Sequence, residues 1–454
     1  MRTLLLASST LIGAALLIAG PAAAQTFAIT NARIETVGPA GTIANGTIVI
    51  KDGKIAAVGA GVQAPAGATV IDAKGGVVTP GFIAVSSNLT VSEVSAVQST
   101  RDDRSGKLSA GFDIQYGVNP NSTMIPWARQ AGLTRAVATP VLSGGGGGHH
   151  HDDSGAEETA GGGGGAGDGD PHLFAGQAAV VSLASGQTDL LVRAKAAVVL
   201  DMGEAGAEAA GSRGAAMVLV RSAFEDARAY SRNKAAYDRG ETREFGLSRI
   251  DLEALVPVVQ GRTPLLVRVS RASDILQVLK MAREEGVSVI LEGAEEAWLV
   301  APQIAAAKVA VIVDAQRNLP SSFETLAARL DNAARLQAAD VTVAIIGSRD
   351  QNNLRQARLN AGMAVSYGLT YQQGLASLTI NPAKIWKMDG QVGSLEVGKV
   401  ADVVVWTGDP LETSTWPTDV FISGQRQPAD VRAFELRDRY AAQPGAYPQA
   451  YTKP

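Results

Sequence analysis

Val77-Val78-Thr79-Pro80-Gly81-Phe82-Ile83-Ala84-Val85-Ser86-Ser87-Asn88 is the stretch on which the fold turns. An apolar run, broken by Pro80-Gly81, leads into a second apolar segment that ends in small or polar residues. That pattern describes a strand entering a buried sheet with a polar tip, where a ligand or metal would sit. Alternate residues of a strand face the same way, so a His-x-His at this tip would aim two imidazoles at one divalent ion. Ser86 and Asn88 occupy those two places.

Upstream, residues 27–78 read as short strands and turns. The runs 47–50 and 54–58 flank Asp52-Gly53, a dipeptide suited to a tight hairpin because glycine tolerates positive φ. Downstream, apolar strands alternate with helical segments. Strands are expected at 82–85, 134–139, 178–183, 265–269, 287–291, 309–313 and 341–346, with another candidate at 196–200. Amphipathic helices are expected at 273–285 and 323–339, capped by Asp274 and Ser322. Buried runs alternating with helices over roughly 300 residues point to an α/β fold built on a parallel sheet, with a closed (β/α)8 TIM-like barrel ahead of an open doubly wound sheet. No G-x-G-x-x-G stands between a strand and a helix to support a dinucleotide site. After Asn381-Pro382-Ala383 the strand-and-turn style returns, so both ends are expected to pair into a small composite β-sandwich domain. The expected divisions are a signal segment 1–24, a first sandwich part 25–80, a barrel 81–390 with a glycine- and histidine-rich insertion at 144–170, a second sandwich part 391–425, and a surface tail 426–454.

Composition narrows the chemistry. The 454 residues carry a net charge of −4, which gives no electrostatic case for nucleic acid or an anionic membrane surface. There is no cysteine, so disulfides, thiolate zinc sites and cysteine nucleophiles are excluded. The four histidines, His149, His150, His151 and His172, all fall in or beside the glycine-rich tract. No G-x-S-x-G occurs, so a serine triad has no support. Arg2, the apolar stretch that follows and Ala22-Ala23-Ala24 read as a cleaved export signal, with a membrane anchor as the alternative. The mature protein is then expected to be exported, periplasmic or secreted, starting near Gln25, with no membrane association after cleavage.

Two blocks carry a family likeness. The first is Ile48-Val49-Ile50-Lys51-Asp52-Gly53-Lys54-Ile55 with Val58-Gly59, ending in Pro80-Gly81-Phe82-Ile83. The second runs through Leu378-Thr379-Ile380-Asn381-Pro382-Ala383-Lys384, Val392-Gly393-Ser394-Leu395-Glu396-Val397-Gly398-Lys399, Ala401-Asp402-Val403-Val404-Val405 and Gly408-Asp409-Pro410. Together they resemble the start and finish of metal-dependent amidohydrolases, notably an exported imidazolonepropionase-like branch. The resemblance implies hydrolysis of carbon–nitrogen bonds other than peptide bonds, on small amides or cyclic amides, with zinc or another divalent metal at the barrel mouth. It implies ligands from His-x-His on strand 1, a carboxylated lysine or glutamate on strand 4, histidines on strands 5 and 6, and an aspartate on strand 8. The metal acidifies a bound water and the aspartate moves the proton.

Carried onto this chain, the strand 1 pair falls on Ser86 and Asn88. The strand 5 and strand 6 tips offer Glu292 and Asp314, and Arg349 takes the aspartate's place with Asp350 following. A hydroxyl and an amide are poor zinc ligands, and a guanidinium repels a cation, so the metal centre is absent as the family builds it and no cofactor is expected. Ser86 and Asn88 are then ligand contacts or remnants capping a packed barrel. Glu292, Asp314 and Asp350 form an oxygen-only cluster for Mg²⁺ or Ca²⁺, or are solvated groups, with Asp350 a partner for Arg349 and the candidate catalytic residue. Glu93 and Arg268 also lie near strand ends. His149, His150 and His151 offer a weak tag-like chelate, a loop folded over the mouth, or a tolerated insertion. Two functions follow: an amidohydrolase-family enzyme, or a catalytically lapsed relative that binds a ligand or pairs with an intact homologue.

Overall fold

The computed structural model describes residues 25–142, 172–317, 319–347, 353–429 and 431–441. The expected signal segment, the tract containing His149–His151 and the pair Arg349 and Asp350 lie outside the described residues. The chain begins with β1 (Phe27–Glu35), β2 (Thr42–Lys51), β3 (Lys54–Gly59), β4 (Thr69–Asp72) and β5 (Val77–Pro80). Asp52 and Gly53 turn β2 into β3 with φ of 51° and 75°, the paired left-handed conformation expected of that dipeptide.

Beyond Gly81 come β6 (Phe82–Ser87), β7 (Leu133–Ala138), β8 (Phe174–Gln177), β9 (Ala179–Ser182), β10 (Leu191–Arg193), β11 (Val198–Asp201), β12 (Leu265–Val269), β13 (Val289–Gly293), β14 (Ala310–Asp314) and β15 (Val343–Ile346). The last strands are β16 (Val403–Trp406), β17 (Pro417–Ile422) and β18 (Gln425–Arg426). Both ends of the chain form one hydrogen-bonded sheet in the order β18-β17-β16-β5-β1-β2-β3, with β4 also on β1. The join is β5 against β16, Pro80 opposite Val403 and Val77 opposite Trp406. Phe27 on β1 meets Phe421 on β17 at 5.1 Å although two strands separate them in the sheet, so the sheet folds over its own apolar core.

Gly81 is the crossing from this sheet into the barrel. Its N–H donates to Asp402, and a Cβ there would lie 2.2 Å from the Thr134 hydroxyl, so only glycine fits. The buried ion pair Arg135–Asp402, 2.7 Å, ties β7 to the composite sheet at the same place.

The barrel runs from β6 through β7 and the β8–β9 segment to β11, β12, β13, β14 and β15, and β15 lies against β6. Strands β11 to β15 are parallel, as is β6 with β7. The third position departs from a uniformly parallel ring: β9 pairs antiparallel with β7, and β8 antiparallel with β11. The chain therefore leaves β7 and re-enters at β8 on the same end of the barrel, instead of crossing back under a helix. The expected glycine-rich insertion falls in that connection.

Inside the barrel, Ile83, Val85, Val137, Val180, Val199, Leu266, Ile290, Ile312 and Ala344 pack in layers. Trp386 and Ile385 close the amino-terminal end, and the Trp386 indole N–H donates to the Val85 carbonyl at 3.0 Å.

Two local expectations are corrected. The helix expected over 323–339 is present only as Asn332–Ala338, because Glu324 turns inward to Arg213 and Glu296 accepts from the Ala327 N–H, which leaves residues 323–331 as turns. Ser322 therefore caps no helix, and Asp274 sits inside the helix Ala272–Glu285, whose N-cap is Arg271. The expected tail from 426 is in part structural: Arg426 pairs with Phe421, and the buried Gln427 side chain accepts from Ser185 N–H and Arg129.

Candidate functional site

The carboxyl ends of β6, β12, β13 and β14 meet at the barrel mouth. The register between β6 and β7 breaks between Ala84 and Ser87, and the bulge re-aims the strand tip. The Ser86 hydroxyl is fully buried and donates to Glu292 Oε2 at 3.1 Å. It also lies 2.9 Å from the Thr139 hydroxyl, which donates to it once the Ser86 proton is engaged.

Counting β11 as a barrel strand moves two assignments. Glu292 stands on the sixth strand, not the fifth, and Asp314 on the seventh, not the sixth. The run 196–200, offered only as a further candidate in the sequence, is this fourth strand. The fifth carries Arg268, which pairs in register with Glu292, and its Nε lies 3.6 Å from Glu292 Oε1. Both side chains are nearly out of reach of water. A charge taken out of water needs a close counter-charge, and here each supplies the other's.

Asn88 goes elsewhere. Its side chain hydrogen-bonds the carboxylate of Asp103, which is buried and paired with Arg101 and Arg104 at 3.1 Å each. Burial raises the Asp103 pKa, against the pull of Arg101. At the tip of the fourth strand, the Asp201 carboxylate accepts from Gly203 and Gly206 N–H and fixes the following helix. Glu93 is engaged by Asn119 and Thr123 and serves loop structure.

Burial pushes the Asp314 pKa up to about 6, with Gln316 N–H and Arg317 pulling down and Glu295 pushing up. Asn360 donates to it at 3.1 Å while also holding the carbonyls of Ile346 and Gly347. Glu295 itself is buried, and its Oε2 has no hydrogen-bond partner among the described residues. Sequence reasoning missed Thr139, Asp103, Glu295 and Asn360, whose roles depend on partners remote in the chain. It noted Arg268 without assigning it a role.

These donors do not fit a divalent metal centre. The mouth offers hydroxyls at Ser86 and Thr139 and a guanidinium against Glu292, and a cation on Glu292 would have to displace Arg268. Among the described residues no group of three or more His, Cys, Asp or Glu could hold an ion; the expected oxygen-only cluster of Glu292, Asp314 and Asp350 includes Asp350, which lies outside the described residues.

Residues 220–427 match the amidohydrolase family. The crystal structure of an amidohydrolase from Thermotoga maritima MSB8 superposes with a TM-score of 0.74 at 23% identity, over 88% of this chain and 99% of that one. Over residues 220–427 the chain is thus similar to the amidohydrolase family, and it shares the fold of that solved structure. An amidohydrolase of Hapsidospora irregularis is 39% identical over 75 residues, 16% of this chain and 8% of its own length. An imidazolonepropionase of Maricaulis maris (strain MCS10) is 34% identical over 86 residues, 18% of this chain and 21% of its own. The matched segments therefore span well under two thirds of these curated relatives.

Proposed function

We propose that this amidohydrolase-like chain is an exported binding protein whose barrel mouth has exchanged a metal centre for a polar network, and that it recognises a small ligand or an intact homologue instead of hydrolysing an amide. One observation supports the reading above the others: the Arg268 guanidinium lies against Glu292, which also takes the Ser86 hydroxyl, so a cation-binding mouth is filled by a cation of the protein's own. Ser86, Glu292 and Asp314, with Arg349 in the adjoining segment, are the contacts offered to a ligand. Asn88 is committed to Asp103 and acts only by shaping the strand tip. Export to the periplasm or beyond rests on the apolar segment that ends at Ala22-Ala23-Ala24.

The family supplies the second reading, a hydrolase of carbon–nitrogen bonds other than peptide bonds, favoured by the matched segments of an amidohydrolase and an imidazolonepropionase. In that case Asp350 is the proton carrier. The two separate in one assay: tag-free protein supplied with zinc or manganese is offered small amides and cyclic amides, alongside Asp350→Ala. The binding reading expects no turnover above buffer from either protein. Turnover by the wild type that disappears in Asp350→Ala would establish the hydrolase.

A further inference from the structure

The opposite, amino-terminal face of the barrel carries a cavity of about 90 Å³ lined by Arg193, Lys195, Arg262 and Lys387, together with Thr263 and short apolar residues. No carboxylate lines it. The four cations arrive from three separate segments. Arg193 ends β10 and Lys195 leads into β11; Arg262 leads into β12; Lys387 follows the helix Ile380–Ile385 that brings Trp386 to the barrel floor.

Lys195, Arg262 and Lys387 are exposed, so water screens them from one another, but the chain as a whole is acidic, so their convergence is not a general excess of positive charge. The described residues supply little compensation. Lys195 has a distant ion pair to Asp113 at 3.8 Å, while Arg193, Arg262 and Lys387 make no ion pair among the described residues. Arg262 is held in place by the Gln260 side chain at 3.0 Å. Arg193 donates through Nη2 to the Trp386 carbonyl, but its Nε is buried and has no hydrogen-bond partner among the described residues. Burial without a counter-charge holds the Arg193 pKa below its usual value.

We propose that this pocket binds a phosphate group. Guanidinium and ammonium donors approaching from several directions suit a tetrahedral oxyanion, which offers acceptors on all sides, better than a planar carboxylate. A second cleft of about 270 Å³ shares Lys195 and Thr263 and adds Tyr116, Ile250 and Pro257, surfaces for the organic part of a phosphorylated molecule. The carboxylates of Asp113 and Glu253 are also in its wall, where they would face a polar or cationic part of that molecule and not its phosphate. The site is independent of the barrel mouth and of whether the mouth hydrolyses anything.

Calorimetric titration of the full-length, tag-free protein with inorganic phosphate and with phenyl phosphate, at constant ionic strength, tests this. Saturable binding is expected, weakened at least about tenfold in Arg262→Ala/Lys387→Ala while the thermal midpoint of that variant without phosphate is unchanged. Arg193→Lys, which keeps the charge and removes the orphaned Nε–H, should weaken binding by a smaller factor. Tighter binding of phenyl phosphate assigns the group to an organic ligand, and equal binding assigns it to the free ion. Absence of saturable binding by either probe, or binding undiminished in the double variant, overturns the proposal.

Discussion

The two ends of the barrel are closed by opposite physics. At the amino-terminal end Trp386 and Ile385 continue the apolar packing of Ile83, Leu266 and Ile290 inside the barrel, and the Trp386 indole N–H donates to the Val85 carbonyl. At the carboxyl end the same inward-facing positions, two residues further along each strand, carry Arg268, Glu292 and Asp314. Packing closes the floor wherever volumes match. Closing the mouth requires that each charge keep its partner, and Glu295 with its orphaned oxygen shows that the requirement is met incompletely.

Truncation separates the two ends most sharply. Trp386→Ala removes a fully buried indole together with its hydrogen bond and is expected to cost about 3–5 kcal/mol, read from urea unfolding. Arg268→Met leaves Glu292 buried without its counter-charge and is expected to cost roughly 3 kcal/mol. Adding Glu292→Gln should return part of that loss, and the thermodynamic cycle measures the coupling. If the two effects simply add, the pair is not the closure described here.

Asp314 sharpens the contrast through pH. Its pKa is about 6 in the folded protein against an ordinary value of 3.8, so between those values the native state holds a proton that the unfolded chain has released. Stability from this group is therefore greatest below about pH 4 and falls as pH rises to about 6, beyond which the deficit is constant. Asp314→Asn should raise stability by about 1–2 kcal/mol at pH 7.5, with the gain vanishing near pH 4 in parallel thermal melts. A difference independent of pH would remove the burial argument. The smallest effect belongs to Ser86→Ala, which takes one donor from Glu292 and should cost about 1 kcal/mol by the same unfolding measurement.

The strand tips were legible because alternation is a local property. Phe82 to Asn88 announced both the buried strand and its polar end, and Glu292 and Asp314 stood out as carboxylates following apolar runs. The Asp52-Gly53 hairpin was legible for the same reason, since two residues set its backbone. The antiparallel third strand was not: Phe174-Ala-Gly-Gln has no extended apolar run, and its direction is fixed by neighbours on both edges. The segment 323–331 has helical spacing, but Glu324 finds Arg213 more than a hundred residues away. Ordering the strands by the strongest runs alone also displaced Glu292 and Asp314 by one position. The guanidinium opposite Glu292 emerged only with the pairing of β12 and β13.

The account stands most directly on metal content. Tag-free protein with residues 144–170 deleted, dialysed against chelator, re-exposed to zinc and manganese and then freed of excess, would be analysed by inductively coupled plasma mass spectrometry. The expected result is no stoichiometric metal, because a cation on Glu292 would have to displace the Arg268 guanidinium that lies against it. One equivalent of divalent metal per chain, retained by that protein and lost in Glu292→Gln, would contradict it.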